Sequence, residues 1–271
     1  MGDSTIGINL IEACKNKDEK LCQKLLENPI GCNIDYVDKS CNTALMYACN
    51  NGLENVAIKM LENQELCKLD QVNQSGNTAL IWACYKGLDK VAMKILEKPE
   101  LCKLDQVNKH SDTALTWACY EKLDKVAMKI LEKPELCKLD QVNNFGDTAL
   151  ISACSVGLEK VAMKMLENPE LCKLDQVNKR GKTALTWAQK NNLQSVVDKI
   201  NSCKKEDIIP FPIYANNNCV ICLESNKRYM SIGSCKHYVS ICKSCDTGRL
   251  KDCTICRQKI NYQTVSYIKI V

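Results

Sequence analysis

Eight side chains between Cys219 and Cys256 are of types that hold a soft divalent metal: Cys219, Cys222, Cys235, His237, Cys242, Cys245, Cys253 and Cys256. The segment reads CVIC, twelve residues, CKH, four residues, CKSC, seven residues, CTIC. Thiolate and imidazole ligands in sets of four suit tetrahedral zinc. Each Cys-x-x-Cys pair is a tight knuckle that can place two sulfurs on one ion. Three such pairs and one Cys-x-His supply two zinc ions with no ligand left over. A disulfide framework fits poorly, because seven cysteines cannot all pair and the histidine falls where an eighth ligand is needed. With every ligand drawn from the protein, no position stays open for an activated water, so the metal would be structural.

Upstream, a different regularity fills most of the chain. The tripeptide Thr-Ala-Leu recurs at Thr43, Thr78, Thr113, Thr148 and Thr183, always 35 residues apart. A fixed period of this size means stacked supersecondary units. A weaker copy at the start puts Leu10 and Ala13 in register with Leu45 and Ala48, giving six copies whose first and last are atypical, as end caps should be. In residues 76–108, Thr78 is suited to cap a short helix, with Leu80, Ala83 and Cys84 on one face. Gly87 can take positive φ and break the chain into a second helix, striped by Leu88, Val91, Ala92, Ile95 and Leu96. Pro99 cannot continue that helix. Cysteines in register, such as Cys49, Cys84, Cys119 and Cys154, read as small packing residues and not as catalytic thiols. His110 falls at a hairpin tip and is expected on the surface.

Turn, helix, turn, helix at this period resembles the ankyrin repeat, whose hallmark is T-P-L-H-x-A. TALIWA, TALTWA and TALISA match at Thr, Leu and the final Ala, with Ala in place of Pro. The period is two residues longer than the usual figure of about 33, with the surplus near PELCKL. Lys122 replaces the glycine between helices, and Cys41 and Ser111 replace the opening glycine, at some cost in backbone strain. The near-identity of the copies resembles ankyrin-repeat proteins of large DNA viruses. The expected fold is mainly α: an ankyrin-repeat solenoid over residues 1–203, a linker over 204–215, and a small α+β zinc domain over 216–271.

The order of three cysteines, one histidine and four cysteines resembles a RING finger. That resemblance implies interleaved sites, with Cys219, Cys222, Cys242 and Cys245 on one zinc and Cys235, His237, Cys253 and Cys256 on the other. It implies a ubiquitin ligase that holds a loaded ubiquitin-conjugating enzyme and forms no covalent ubiquitin intermediate of its own. Ile221, Leu223 and Leu250 match positions that contact the conjugating enzyme. Arg257 matches the basic residue that positions ubiquitin. Two departures, the four residues between His237 and Cys242 and Thr254 in place of the common Pro, favour the alternative of a non-enzymatic adaptor with a structural zinc domain. The tail is similar to those of inhibitor-of-apoptosis and Mdm-type RING ligases. There Tyr267 matches the aromatic that reaches ubiquitin across a homodimer, although a strand that merely closes the small domain fits the same residues.

In ankyrin folds the x of T-P-L-H-x-A lines the concave side. Tyr47, Trp82, Trp117 and Trp187 occupy it, with Ser152 in the gap. These aromatics either anchor a protein substrate or pack between neighbouring helices. The net charge of +5 is uneven. Residues 204–271 carry 11 Lys and Arg against 5 Asp and Glu, and the first 203 carry 26 against 27. The basic residues are scattered and not interleaved with aromatics, which argues against a nucleic-acid partner. No run of residues is apolar enough to predict a membrane span. Twenty cysteines without a charged-then-apolar leader predict reduced thiols in cytoplasm or nucleus, of a host cell if the source is viral.

Overall fold

The computed structural model describes residues 4–28, 31–63, 66–206, 228–232, 237–241 and 266–268. The chain forms two compact units, Met1–Asn201 and Ser202–Val271. The first is a stack of helix pairs. They are α1 (Ser4–Lys15) with α2 (Glu19–Leu25), α3 (Ala44–Asn51) with α4 (Glu54–Leu61), and α5 (Ala79–Tyr85) with α6 (Asp89–Ile95). Then come α7 (Ala114–Tyr120) with α8 (Asp124–Ile130), α9 (Ala149–Val156) with α10 (Glu159–Met165), and α11 (Ala184–Lys190) with α12 (Gln194–Glu206). The odd-numbered helices pack on one another in an inner row, and α2 to α10 pack likewise in an outer row.

Most of these helices span seven or eight residues, too short to persist alone in water. Caps and packing hold them. Thr43, Thr78, Thr113, Thr148 and Thr183 each accept a hydrogen bond at Oγ1 from the backbone N–H three residues on, all at 3.2 Å. Each cap contributes about 1 kcal/mol. Leu80, Ala83, Cys84, Val91, Ala92, Ile95 and Leu96 are all buried, as their spacing predicts. A fully buried Leu or Ile contributes about 1.5–3 kcal/mol. Gly52, Gly87 and Gly157 break the pairs at φ of 75°, 67° and 84°, and Lys122 stands at the same place at 56°. Behind the outer row, Pro99, Pro134 and Pro169 each open a one-turn 3-10 helix, which absorbs the lengthened period.

Between repeats the chain projects a finger, and the motif Asp-Gln-Val-Asn builds it. The Asn108 side-chain oxygen accepts from the N–H groups of His110 and Asp112, both at 2.9 Å, which folds the tip. Its Nδ2 donates to Asn77 Oδ1 of the preceding finger at 3.0 Å. Asn73, Asn143 and Asn178 make the same three bonds, reaching Asn42, Asp112 and Asp147. Backbone bonds from Gln74, Lys109, Asn144 and Lys179 to the preceding tip tie the row together at 2.9–3.1 Å. The last helix, α12, runs on to Glu206, past the point where the repeat pattern fades in sequence. Val196, Val197, Ile200 and Cys203 bury one face of it.

In the second unit, three strands are described: β1 (Arg228–Ile232), β2 (His237–Ile241) and β3 (Ser266–Ile268). They form an antiparallel sheet in the order β2-β1-β3. Among the described residues no helix is long and apolar enough to cross a membrane.

Candidate functional site

The hairpin β1–β2 carries the one candidate ligand that falls among the described residues. His237 opens β2 opposite Ile232, and β2 runs to Ile241, filling the four-residue gap before Cys242 with paired strand. The long spacing therefore has a structural content: it is one strand of a sheet. Cys219, Cys222, Cys235, Cys242, Cys245, Cys253 and Cys256 lie outside the described residues, as do Ile221, Leu223, Leu250 and Arg257. Tyr267 lies at the centre of β3, in register with Met230 of β1, and β3 is an edge strand of the small sheet. The donor set fits zinc on its chemistry, seven thiols and one imidazole in two sets of four. None of the thirteen cysteines of the array forms a disulfide, and together with the seven candidate cysteine ligands these account for all twenty.

The array thiols have packing roles. Cys49, Cys84 and Cys119 have no exposed surface, and burial pushes each thiol well above its ordinary range. Burial likewise pushes Cys67, Cys102, Cys137 and Cys154 up to about 12. Cys102 and Cys137 also donate from Sγ to the carbonyls of Ile95 and Ile130 at 3.3 and 3.2 Å. Such thiols hold no thiolate near neutral pH and cannot act as nucleophiles.

The second candidate surface is the face that the inner helices share with the fingers. Tyr47, Trp82, Trp117 and Trp187 are all half-buried on it, packed on the core with part of each ring at the surface. They do not form one ladder. Trp82 meets Tyr85 edge-on at 5.7 Å, Tyr85 meets Trp117 at 4.6 Å, and Trp117 lies 5.8 Å from Tyr120. Tyr85 and Tyr120 are absent from the sequence-based candidates. Their signal was available, because each stands three residues after a tryptophan and so shares its helix face. Ser152, at the equivalent place in α9, is buried and ends the row. Tyr120 instead donates from its hydroxyl to Asp147 Oδ2, and burial and that carboxylate push it up to about 12. At the far end Trp187 stands apart under the Lys190 ammonium, 4.8 Å from the ring centre.

At the near end, Tyr47 donates to Asp38 Oδ2 at 2.8 Å and lies 5.0 Å from the Lys15 ammonium. Burial alone would raise Asp38. Hydrogen bonds from the Asn42 N–H, the Tyr47 hydroxyl and the Ser40 N–H, with Lys15 nearby, outweigh it and hold the carboxyl below its ordinary range. Between the first two fingers and α3 and α5 a recess of ≈ 280 Å³ opens, with Tyr47 and Trp82 in its wall.

Comparison with known proteins agrees with both halves of this description. The family model for ankyrin repeats (3 copies) matches residues 10–105 and 115–208. The model for the C3HC4-type zinc finger, or RING finger, matches residues 215–263. Among curated proteins no match is found. Solved structures share the fold of the array. A chain from the complex of a predatory endopeptidase of Bdellovibrio bacteriovorus with its immunity protein is 23% identical, with a TM-score of 0.51 over 72% of this chain and 97% of that one. Another ankyrin repeat protein is 20% identical, with a TM-score of 0.51 over 71% of this chain and 96% of the other. An ankyrin repeat domain from Acinetobacter baumannii is 20% identical, with a TM-score of 0.54 over 72% and 97%. Capped helix pairs at a 35-residue period, tied by their fingers and followed by a cysteine-rich segment, thus have one reading: the chain belongs to the ankyrin-repeat proteins and carries a C-terminal RING-type zinc finger.

Proposed function

We propose that the chain is a RING-type ubiquitin ligase in which residues 1–203 recruit a protein substrate, residues 204–215 link, and residues 216–271 hold a ubiquitin-loaded conjugating enzyme. The observation that carries this reading is the ligand order from Cys219 to Cys256 inside the RING match at 215–263. Cys219, Cys222, Cys242 and Cys245 would hold one zinc, and Cys235, His237, Cys253 and Cys256 the other. The metal supplies shape alone, since its ligands leave no open position.

The chemistry is positioning. A substrate lysine attacks the thioester carbon held by the conjugating enzyme, the C–S bond breaks, and an isopeptide bond forms as the thiolate leaves. Ile221, Leu223 and Leu250 would dock the conjugating enzyme. Arg257 would hydrogen-bond both that enzyme and ubiquitin, a task suited to five donors in a rigid fork. Holding ubiquitin in an attack-ready pose acts by orientation. Joining substrate and thioester in one complex raises their effective concentration. Tyr267 is the tail's candidate contact to ubiquitin across a homodimer.

The test is discharge of a panel of ubiquitin-loaded conjugating enzymes onto free lysine by the full chain. Discharge is expected with at least one of them. Arg257→Ala and Ile221→Ala should each cut it by tenfold or more, about 1.4 kcal/mol, while retaining zinc. Undiminished discharge in both variants would sink the assignment. No discharge at all, with two zinc ions bound, would favour the adaptor that the His237–Cys242 spacing and Thr254 first suggested.

A further inference from the structure

Charge is distributed unevenly across the array in a way its total conceals. On the outer helices, each repeat neutralises itself: Lys59 pairs with Glu62, Lys94 with Glu97, Lys129 with Glu132 and Lys164 with Glu167, at 2.5–3.0 Å. The finger side has no such pattern. Its tips expose Lys39, Lys109, Lys179, Arg180 and Lys182, and no carboxylate lies within ion-pair distance of any of them among the described residues. Lys86 and Lys190 add two more exposed cations, each over an aromatic ring at 4.8 Å. The acidic groups on this side are mostly committed. Glu12 pairs with Lys15 at 2.9 Å, Asp38 holds Tyr47, and Asp147 holds Tyr120 and Asn178. Glu121 is exposed.

We propose that the finger-side groove takes an extended, acidic protein segment, whose carboxylates meet the cationic tips while its intervening side chains lie on the Trp82–Tyr85–Trp117–Tyr120 row. The proposal rests on the reading that the array recruits a protein, and names the chemistry of what it recruits. Charge complementarity selects an anionic partner, since the five cations of the tips make no ion pair among the described residues while Glu12, Asp38 and Asp147 are engaged. The ring packing selects a peptide over a single-stranded nucleic acid. Stacking of bases needs free ring faces, and here the rings meet edge to face, with Trp82, Trp117 and Tyr120 half-buried and Lys86 over Tyr85. The ≈ 280 Å³ recess is sized for one or two side chains. Asn50, Ser40 and Ser75 line it, with side chains that make no hydrogen bond among the described residues.

The experiment uses the full chain and three labelled probes of equal length: an alternating Glu-Tyr peptide, an alternating Gln-Tyr peptide and oligouridylate, followed by fluorescence anisotropy. The Glu-Tyr peptide is expected to bind tightest and to weaken as salt rises. Replacing Lys179, Arg180 and Lys182 together by serine should weaken it about tenfold, whereas Lys94→Ser with Lys129→Ser on the outer face should leave it unchanged. Equal loss in the outer-face variant, or tighter binding of oligouridylate, overturns the proposal. If the Gln-Tyr peptide binds as tightly and both peptides are lost with Trp82→Ala and Trp117→Ala, the groove still recruits protein but without regard to charge. In that case the acidic proposal falls and the recruitment reading stands. If neither peptide binds, both fall.

Discussion

Lys122 holds a left-handed conformation, φ 56°, that glycine fills in three of the other repeats. A Cβ there costs about 1–2 kcal/mol. Nothing lies within 4 Å of a Cβ built at the equivalent Gly52, Gly87 and Gly157, so the place is open and the cost at Lys122 is the backbone's alone. Lys122→Gly should therefore stabilise the array by roughly 1 kcal/mol in urea unfolding. Gly76→Ala should do the reverse and by more. Its Cβ would sit 2.8 Å from the Asn108 Cα and 2.9 Å from the Val107 carbonyl, which belong to the next finger. Asp112 offers a pH test. Burial raises its carboxyl above the ordinary range, and the bond from Asn143 only partly offsets that. A group raised on folding stabilises fully below its unfolded value, and that contribution is lost as pH rises through the folded one. Asp112→Asn removes the loss, and Asn77 already accepts the matching bond in the preceding finger. The variant should melt higher than the parent at pH 7, with the gain fading as pH falls toward about 4.

At the scale of the element, the finger rather than the helix pair fixes the spacing between repeats. Asn143 folds its own tip through two backbone bonds of 2.9 and 3.0 Å and reaches Asp112 at 2.9 Å. Asn143→Ala strands one buried and one part-buried donor and one buried acceptor, for a loss of about 2–3 kcal/mol. Asn144→Ala, one residue on at the exposed tip, should change stability by less than about 0.5 kcal/mol. A lowered urea slope in Asn143→Ala would show repeats unfolding separately. The helices were legible in sequence because their signals are local: Thr78 three residues before the N–H it caps, Leu80 and Ala83 at helical spacing. The finger was not. Four copies of LCKLDQVN were visible, but the bond from Asn108 to Asn77 spans 31 residues and has no local periodicity. The same holds for the surface. Tryptophans 35 residues apart could be aligned by the repeat, whereas the Tyr85–Trp117 contact joins positions of different phase and appears only once the helices stack. In the second unit, the ligand types and order were legible. That β2 fills the gap after His237 follows from pairing with β1, which spacing alone does not encode.

For the whole molecule, the cysteines up to Cys203 and the seven from Cys219 to Cys256 differ in what protects them. Twelve of the thirteen array thiols are buried and Cys41 is half-exposed. A thiol at about 12, such as Cys102 or Cys137, is neutral at pH 8 and shielded besides. The seven cysteines from Cys219 to Cys256 would be protected by metal instead, since a bound thiolate is not free to attack. These protections fail under different conditions. A strong chelator removes the second and leaves the first, because the array draws its stability from caps and packing. Titration of the native chain at pH 8 with a disulfide reagent should thus find Cys41 as the readily reactive thiol. Adding the chelator should expose seven more and release two zinc ions, with helical circular dichroism nearly unchanged. Urea without chelator should instead expose the array thiols as the helices melt. If chelation exposes array thiols and collapses the helical signal, the metal holds the whole chain together and the array cannot serve as a self-standing recruiter of substrate. If it exposes fewer than seven and releases a single ion, the RING ligand set is incomplete, and the proposed docking of a conjugating enzyme fails with it.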